Sequence, residues 1–171
     1  MAGRGLEQFA KEKDNAMDKT KFIYVTYIRT TQEKLWQALI QPEFTRVYWL
    51  ETWQESEWEK GASWRALNPE KQVIAMGEVV EYDQPQRLVL TWRNEKTAEL
   101  RAEGFSRVTY TLEKEGASVR LTVLHEVNQP GSKLLQSVSQ GWPLVLASLK
   151  SLLETGEPLD EARRWPVGGC K

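Results

Sequence analysis

A single histidine and a single cysteine among 171 residues set the first limits on chemistry. Cys170 has no partner for an internal disulfide, which suits a reducing compartment, and it reads as an inert end residue rather than a nucleophile. His125 and Cys170 together cannot supply the usual ligands of a zinc cage. A glycine-rich phosphate loop, a Gly-x-Ser-x-Gly elbow and a His-Glu-x-x-His helix are all missing, so no metal is expected, and no cofactor with a known fingerprint. Charge of one sign is lacking too. The 23 basic and 24 acidic side chains leave a formal charge of -1, and their even spread builds no potential that would attract nucleic acid or anionic lipid. No run of about 18 apolar residues occurs, hence no membrane-spanning helix. The first twenty residues mix Arg4, Lys11 and Lys13 with Glu7, Glu12 and Asp14. They contain no apolar stretch of roughly 7 to 15 residues such as secretion requires, and the expected location is the cytoplasm.

What is present is the material of one globular domain. Apolar residues make up 40% and charged residues 27% of the chain, and a chain of this length buries roughly 70% of its unfolded surface. We expect a polar extension at 1–20, in which Met17 marks an alternative start or part of a short helix. A domain follows at 21–157, and a tail at 158–171 carries Gly168-Gly169, with Trp165 free to pack back.

Residues 22–29 are dense in β-branched and aromatic side chains and predict a strand. Thr30 followed by Glu33 matches a capping box, predicting a helix over 31–40 with Leu35, Trp36 and Leu39 on one face. Pro42 opens a second short helix. From Leu50 to Val127 the period becomes two, broken by turn signals at Lys60-Gly61, Asn68-Pro69, Asp83-Gln84-Pro85 and Glu115-Gly116, which predicts about six further strands. Leu88, Leu90 and Trp92 alternate with Arg87, Thr91 and Arg93, and Val108, Tyr110 and Leu112 with Arg107, Thr109 and Thr111, so one face of the sheet is dry. The same alternation through Val119, Leu121 and Val123 turns His125 inward. Ser132 caps a long helix that ends before Gly156, with Val138, Trp142, Val145, Leu149 and Leu152 on its apolar stripe. Pro143 predicts a kink near Gly141, or a helix that properly starts there.

A sheet dry on one face needs one cover, and the last helix is the long one. The order predicts an α+β fold in which a curved antiparallel sheet of about seven strands wraps a long C-terminal helix, with two short helices after the first strand. Two helices directly after the first strand argue against an up-and-down barrel. The stretch Tyr27-Ile28-Arg29-Thr30-Thr31-Gln32-Glu33-Lys34-Leu35-Trp36, then Pro42-Glu43-Phe44, Gly77-Glu78-Val79-Val80-Glu81 and Gly141-Trp142-Pro143-Leu144-Val145 resemble the SRPBCC (START-like) superfamily. Within it they are similar to single-domain bacterial proteins named after the activator of heat-shock protein 90 ATPase. The resemblance implies a helix-grip fold with an internal pocket. It carries no catalytic motif to transfer, because this scaffold serves many chemistries.

Candidate pocket residues follow from parity and size. Eight tryptophans are many for this length, and large amphipathic rings either line pockets for flat or greasy ligands or simply fill a core. His125 reads as a polar anchor in a pocket or a satisfied core histidine; as a general base it lacks a visible partner, since Glu126 points to the opposite face. The acidic run Glu51, Glu55, Glu57 and Glu59 reads as a solvated strand face, with an acid–base pair as the sharper alternative. The leading expectation is a binding protein that sequesters or carries a small hydrophobic molecule, lipid-, polyketide- or aromatic-like. Its expected cavity is lined by Tyr48, Trp53, Trp64, Met76, Trp92, Tyr110, His125, Trp142 and Leu146, with no catalytic residues. A co-chaperone acting on a heat-shock ATPase is the second reading. An enzyme such as a cyclase or hydrolase, using His125 and a tyrosine, is the third. Homodimerisation and a chaperone partner stay open.

Overall fold

The computed structural model describes residues 20–166. Met17, Gly168-Gly169 and Cys170 lie outside the described residues, as does nearly all of the expected N-terminal extension. Strand β1 (Lys21–Ile28) leads to helices α1 (Gln32–Ile40) and α2 (Pro42–Tyr48). Then come β2 (Trp53–Ser56), β3 (Ser63–Leu67), β4 (Val73–Asp83), β5 (Arg87–Asn94), a short helix α3 (Ala98–Ala102), β6 (Ser106–Glu115), β7 (Ser118–Glu126) and the long α4 (Lys133–Thr155). The seven strands form one curved antiparallel sheet in the order β1-β7-β6-β5-β4-β3-β2. This is the helix-grip α+β architecture that the element order implies.

Period-two patterning sets the dry face. Leu90 on β5 pairs with Val108 on β6, which pairs with His125 on β7, and all three are fully buried. Helix α4 covers that face with Trp142, Val145, Leu146 and Leu149. It starts where Ser132 accepts the Leu135 N–H at 3.0 Å and ends at Gly156, whose φ of 85° is costly for any residue with a Cβ. Pro143 does not divide it: α4 is continuous from Lys133. Burial of apolar side chains on both sides of the proline offsets the roughly 3 kcal/mol that an interior proline costs.

Three local expectations shift. The cap of α1 is Thr31, whose Oγ1 accepts the Lys34 N–H at 3.2 Å, and not Thr30, whose hydroxyl is buried without a partner among the described residues. Thr31→Ala should therefore cost about 1 kcal/mol in urea unfolding, while Thr30→Val should cost nothing measurable. Helix α3 has no counterpart in the sequence reading. Thr97 caps it, and it leads to Glu103, whose Oε1 accepts the Lys133 N–H at 2.9 Å and the Leu134 N–H at 3.2 Å at the positive end of α4. The tail, expected from 158, is docked as far as 166. Leu159 N–H donates to Ser148 Oγ at 3.1 Å, Asp160–Ala162 form a 3-10 turn, and Ala162 is fully buried.

Candidate functional site

A row of inward positions crosses half the sheet. Gln54 on β2 faces Ala66 on β3, Ala66 faces Ala75 on β4, and Ala75 faces Asn94 on β5. All four are buried. The neighbouring row carries Trp64 and Trp92, so the two methyl groups leave a hollow where rings stand alongside. The hollow is a cleft of about 140 Å³ between these strands and α4, bounded by Trp49, Trp92, Trp142, Val138 and Val145. Its lining is mostly apolar. Gln54, Asn94, Thr52 and Ser137 add polar groups, and Lys96 is the one charged lining residue among those described.

Tryptophans frame the cleft. Trp92 packs 4.8 Å from Trp64 and 6.1 Å from Trp142 between ring centroids, and Trp49 stacks on Trp92 at 6.3 Å with planes only 14° apart. Trp64 is held by a close approach of backbones. It lies opposite Gly77, and its Nε1–H donates to the Thr91 carbonyl at 2.9 Å. A Cβ on Gly77 would come within 1.9 Å of that same oxygen, so only glycine fits.

His125 sits behind these rings with both nitrogens engaged. Trp142 Nε1–H donates to Nδ1 at 3.2 Å, which fixes the proton on Nε2, and Nε2–H then donates to Ser106 Oγ at 2.7 Å. The Ser106 hydroxyl in turn donates to the Trp92 carbonyl at 3.0 Å. Burial holds the imidazole neutral, pushing its pKa down to about 4. A neutral ring with no free nitrogen is a structural link between α4 and the sheet, and it leaves no position for proton transfer to a ligand. Burial also pushes up the hydroxyl of Tyr110 and, with the neighbouring Tyr110, that of Tyr48. Tyr48 donates to the Ala38 carbonyl at 2.9 Å.

Of the nine expected pocket residues, the structure brings Trp92 and Trp142 to the cleft. Tyr48, Tyr110, His125 and Leu146 are buried in the core around it. Trp64 is on the inner face but borders a second hollow, a broad open groove of about 740 Å³ shared with Pro42, Trp58 and Arg65. Met76 reaches this groove from the outer face, where its sulfur lies 3.4 Å from Arg93 Nη2. Trp53 also points outward, with the Arg46 guanidinium 4.2 Å above its ring and its Nε1–H donating to Glu55. Both placements correct the expectation, and the reason is parity: Gln54 and Ala75 hold the inward positions, so Trp53 and Met76 cannot. Gln54 borders both hollows.

The acidic run of the sequence divides. Glu55 is exposed and pairs with Arg65 at 2.7 Å, and the hydrogen bond from Arg65 holds its carboxyl below the usual range. Glu51 accepts the Trp165 N–H at 3.1 Å. That bond belongs to a brace at the mouth of the cleft. Leu50 and Glu51 have φ of 52° and 57°, a left-handed corner unusual for side-chain-bearing residues, and the Leu50 N–H donates to the Ala162 carbonyl at 2.7 Å. The docked C-terminal residues thus hold a strained corner whose Leu50 lines the cleft. Asn94 was legible as the next inward step after Trp92. Gln54, Ala66 and Ala75 were not, because small or polar residues give no hydrophobic signal.

The profile of the family described as activator of Hsp90 ATPase homolog 1-like protein matches residues 29–154, well over half of the chain. Among solved structures, protein MLL2253 from Mesorhizobium loti is similar at a TM-score of 0.66 and 23% identity, over 78% of this chain and 96% of that one. DynU16, from the dynemicin biosynthetic locus, is similar at a TM-score of 0.70 and 21% identity, over 86% of this chain but only 51% of its own. The Aha1 dimer from Colwellia psychrerythraea is similar at a TM-score of 0.62 and 14% identity, covering 80% of this chain and 97% of that chain. At these identities the likeness is one of fold. No curated protein sequence matches. Among the described residues no helix is long and apolar enough to cross a membrane, and no group of side chains is arranged to hold a metal ion.

Proposed function

The chain belongs to the activator of Hsp90 ATPase homolog 1-like family, and on that footing we propose that it binds a small, largely apolar molecule in the cleft beneath α4. One observation carries the reading: the buried row Gln54–Ala66–Ala75–Asn94 puts methyl groups where a closed core would place larger side chains. The size of the hollow sets the class of ligand. About 140 Å³ is close to the roughly 150 Å³ that admits a benzene ring, and well below the roughly 300 Å³ at which pockets for larger ligands begin. One aromatic ring or a short branched chain fills the hollow, and a larger molecule would have to extend out through its mouth. Binding rather than turnover is favoured because His125 is neutral and spent on Trp142 and Ser106.

The test is to fill the hollow. Ala75→Leu places a branched side chain in the middle of the row, and overpacking of this kind costs about 1–3 kcal/mol, which a domain of this size tolerates. Titration calorimetry with one-ring compounds such as phenylacetamide and toluene should detect binding to the unaltered protein and none to the folded variant. Equal binding to both would place the ligand elsewhere, and the open groove bordered by Trp58 and Met76 would be the next site to examine.

A further inference from the structure

Resting on that reading, we infer that the preferred ligand is a small carboxylate, its ring or chain under Trp92 and Trp142 and its anionic end at the mouth beside Lys96. Three side chains of the lining, Trp92, Asn94 and Lys96, offer N–H groups. Trp92 lines it, and the Trp92 indole N–H is buried with no acceptor among the described residues. Leaving such a donor unpaired is costly unless a bound molecule supplies the acceptor. The Asn94 side-chain oxygen is already taken by the Lys96 backbone N–H at 2.9 Å, which leaves its amide N–H groups available. No side-chain hydrogen bond to Gln54 forms among the described residues, although this residue is buried.

Lys96 supplies the charge. Among the described residues no Asp or Glu lines the cleft. The adjacent carboxylate, Glu95, is held by Arg93 and Arg101. The Lys96 ammonium instead lies 5.4 Å from the centre of the Trp165 ring, a contact that positions it without neutralising it. The docked Trp165 therefore holds, at the rim of an apolar slot, a cation that enters no salt bridge among the described residues. A monoanion suits this arrangement: its oxygens meet the donors and the cation while its apolar part enters the hollow. A dianion would have to shed more hydration than one exposed lysine returns.

Phenylacetate and phenylacetamide, which match in shape and differ in charge, separate the possibilities on the full chain. Calorimetry at low salt should give phenylacetate a dissociation constant about three- to tenfold lower than phenylacetamide. The gap should narrow in about 1 M salt. Lys96→Gln, at an exposed position, should raise the phenylacetate constant to that of phenylacetamide on the unaltered protein. Equal constants for the two compounds on the unaltered protein would overturn the carboxylate inference and leave the cleft standing. Failure of both compounds to bind at millimolar concentration would overturn the inference and the proposed function together.

Discussion

Replacing Gly77 by alanine is expected to be the most damaging single change in the sheet, lowering stability by about 3 kcal/mol or more and the melting temperature by about 10 °C. The new Cβ would stand 1.9 Å from the Thr91 carbonyl oxygen and 2.6 Å from its carbon, both backbone atoms that move only with the strand. Relief would pull β4 from β5 and withdraw the acceptor of the Trp64 indole, one of the rings beside the cleft. Gly141 makes the contrast. A Cβ there meets nothing within 4 Å, and it lies inside α4, so Gly141→Ala should stabilise by up to about 1 kcal/mol. Thermal unfolding followed by circular dichroism measures both. Similar melting temperatures for the Gly77→Ala and unaltered proteins would mean that the strands are not packed as closely as described.

The second large effect is a dependence on pH that one residue controls. His125 has a folded pKa of about 4, set by burial, against an ordinary value near 6.5 when the chain is unfolded. With the folded value depressed, the unfolded chain binds the proton first as pH falls. Stability is then complete above about pH 6.5 and drains away down to about pH 4, with a total loss of about 3 kcal/mol. Urea midpoints taken at half-unit pH intervals should show this slope. The exposed carboxylates of Glu55 and Glu154, both held low by hydrogen bonds, add their losses only below the carboxylate range near 4.5. His125→Phe should flatten the slope between pH 6.5 and 4.5 while lowering stability throughout, because the Trp142 N–H would lose its acceptor and Ser106 its donor. An unchanged slope in that variant would show that other groups govern the acid limb.

Much of this architecture is legible in the residues because long strands advertise their parity. β5, β6 and β7 are eight to ten residues long, and although Val89 and Thr109 break the alternation, enough of it survives to put Leu90, Tyr110 and His125 on the correct face. The same reasoning misplaced Trp53 and Met76. Strand β2 has four residues, too few to reveal a period, and a preference for turning large apolar groups inward then sent Trp53 to the wrong side. Arg46 over its ring compensates for the exposure that results. The cleft itself was hidden for a related reason. It is made by what Ala66 and Ala75 lack, and whether the two alanines adjoin depends on the register between β3 and β4, which an irregularity at Ala66–Leu67 shifts. The link through His125 is likewise nonlocal, joining Ser106 on β6 to Trp142 on α4. Thr30 and Thr31 are adjacent and chemically alike, so only backbone geometry chooses which of them caps α1.

The indole N–H signals in a nitrogen–proton correlation spectrum test the cleft most directly, because each tryptophan reports from a known place. Titration with phenylacetamide should shift Trp92 and Trp49, with Trp142 following, and leave the outward-facing Trp53 where it was. Shifts confined to Trp53 and Trp58, or no shift in any indole at saturating ligand, would contradict a binding site beneath α4.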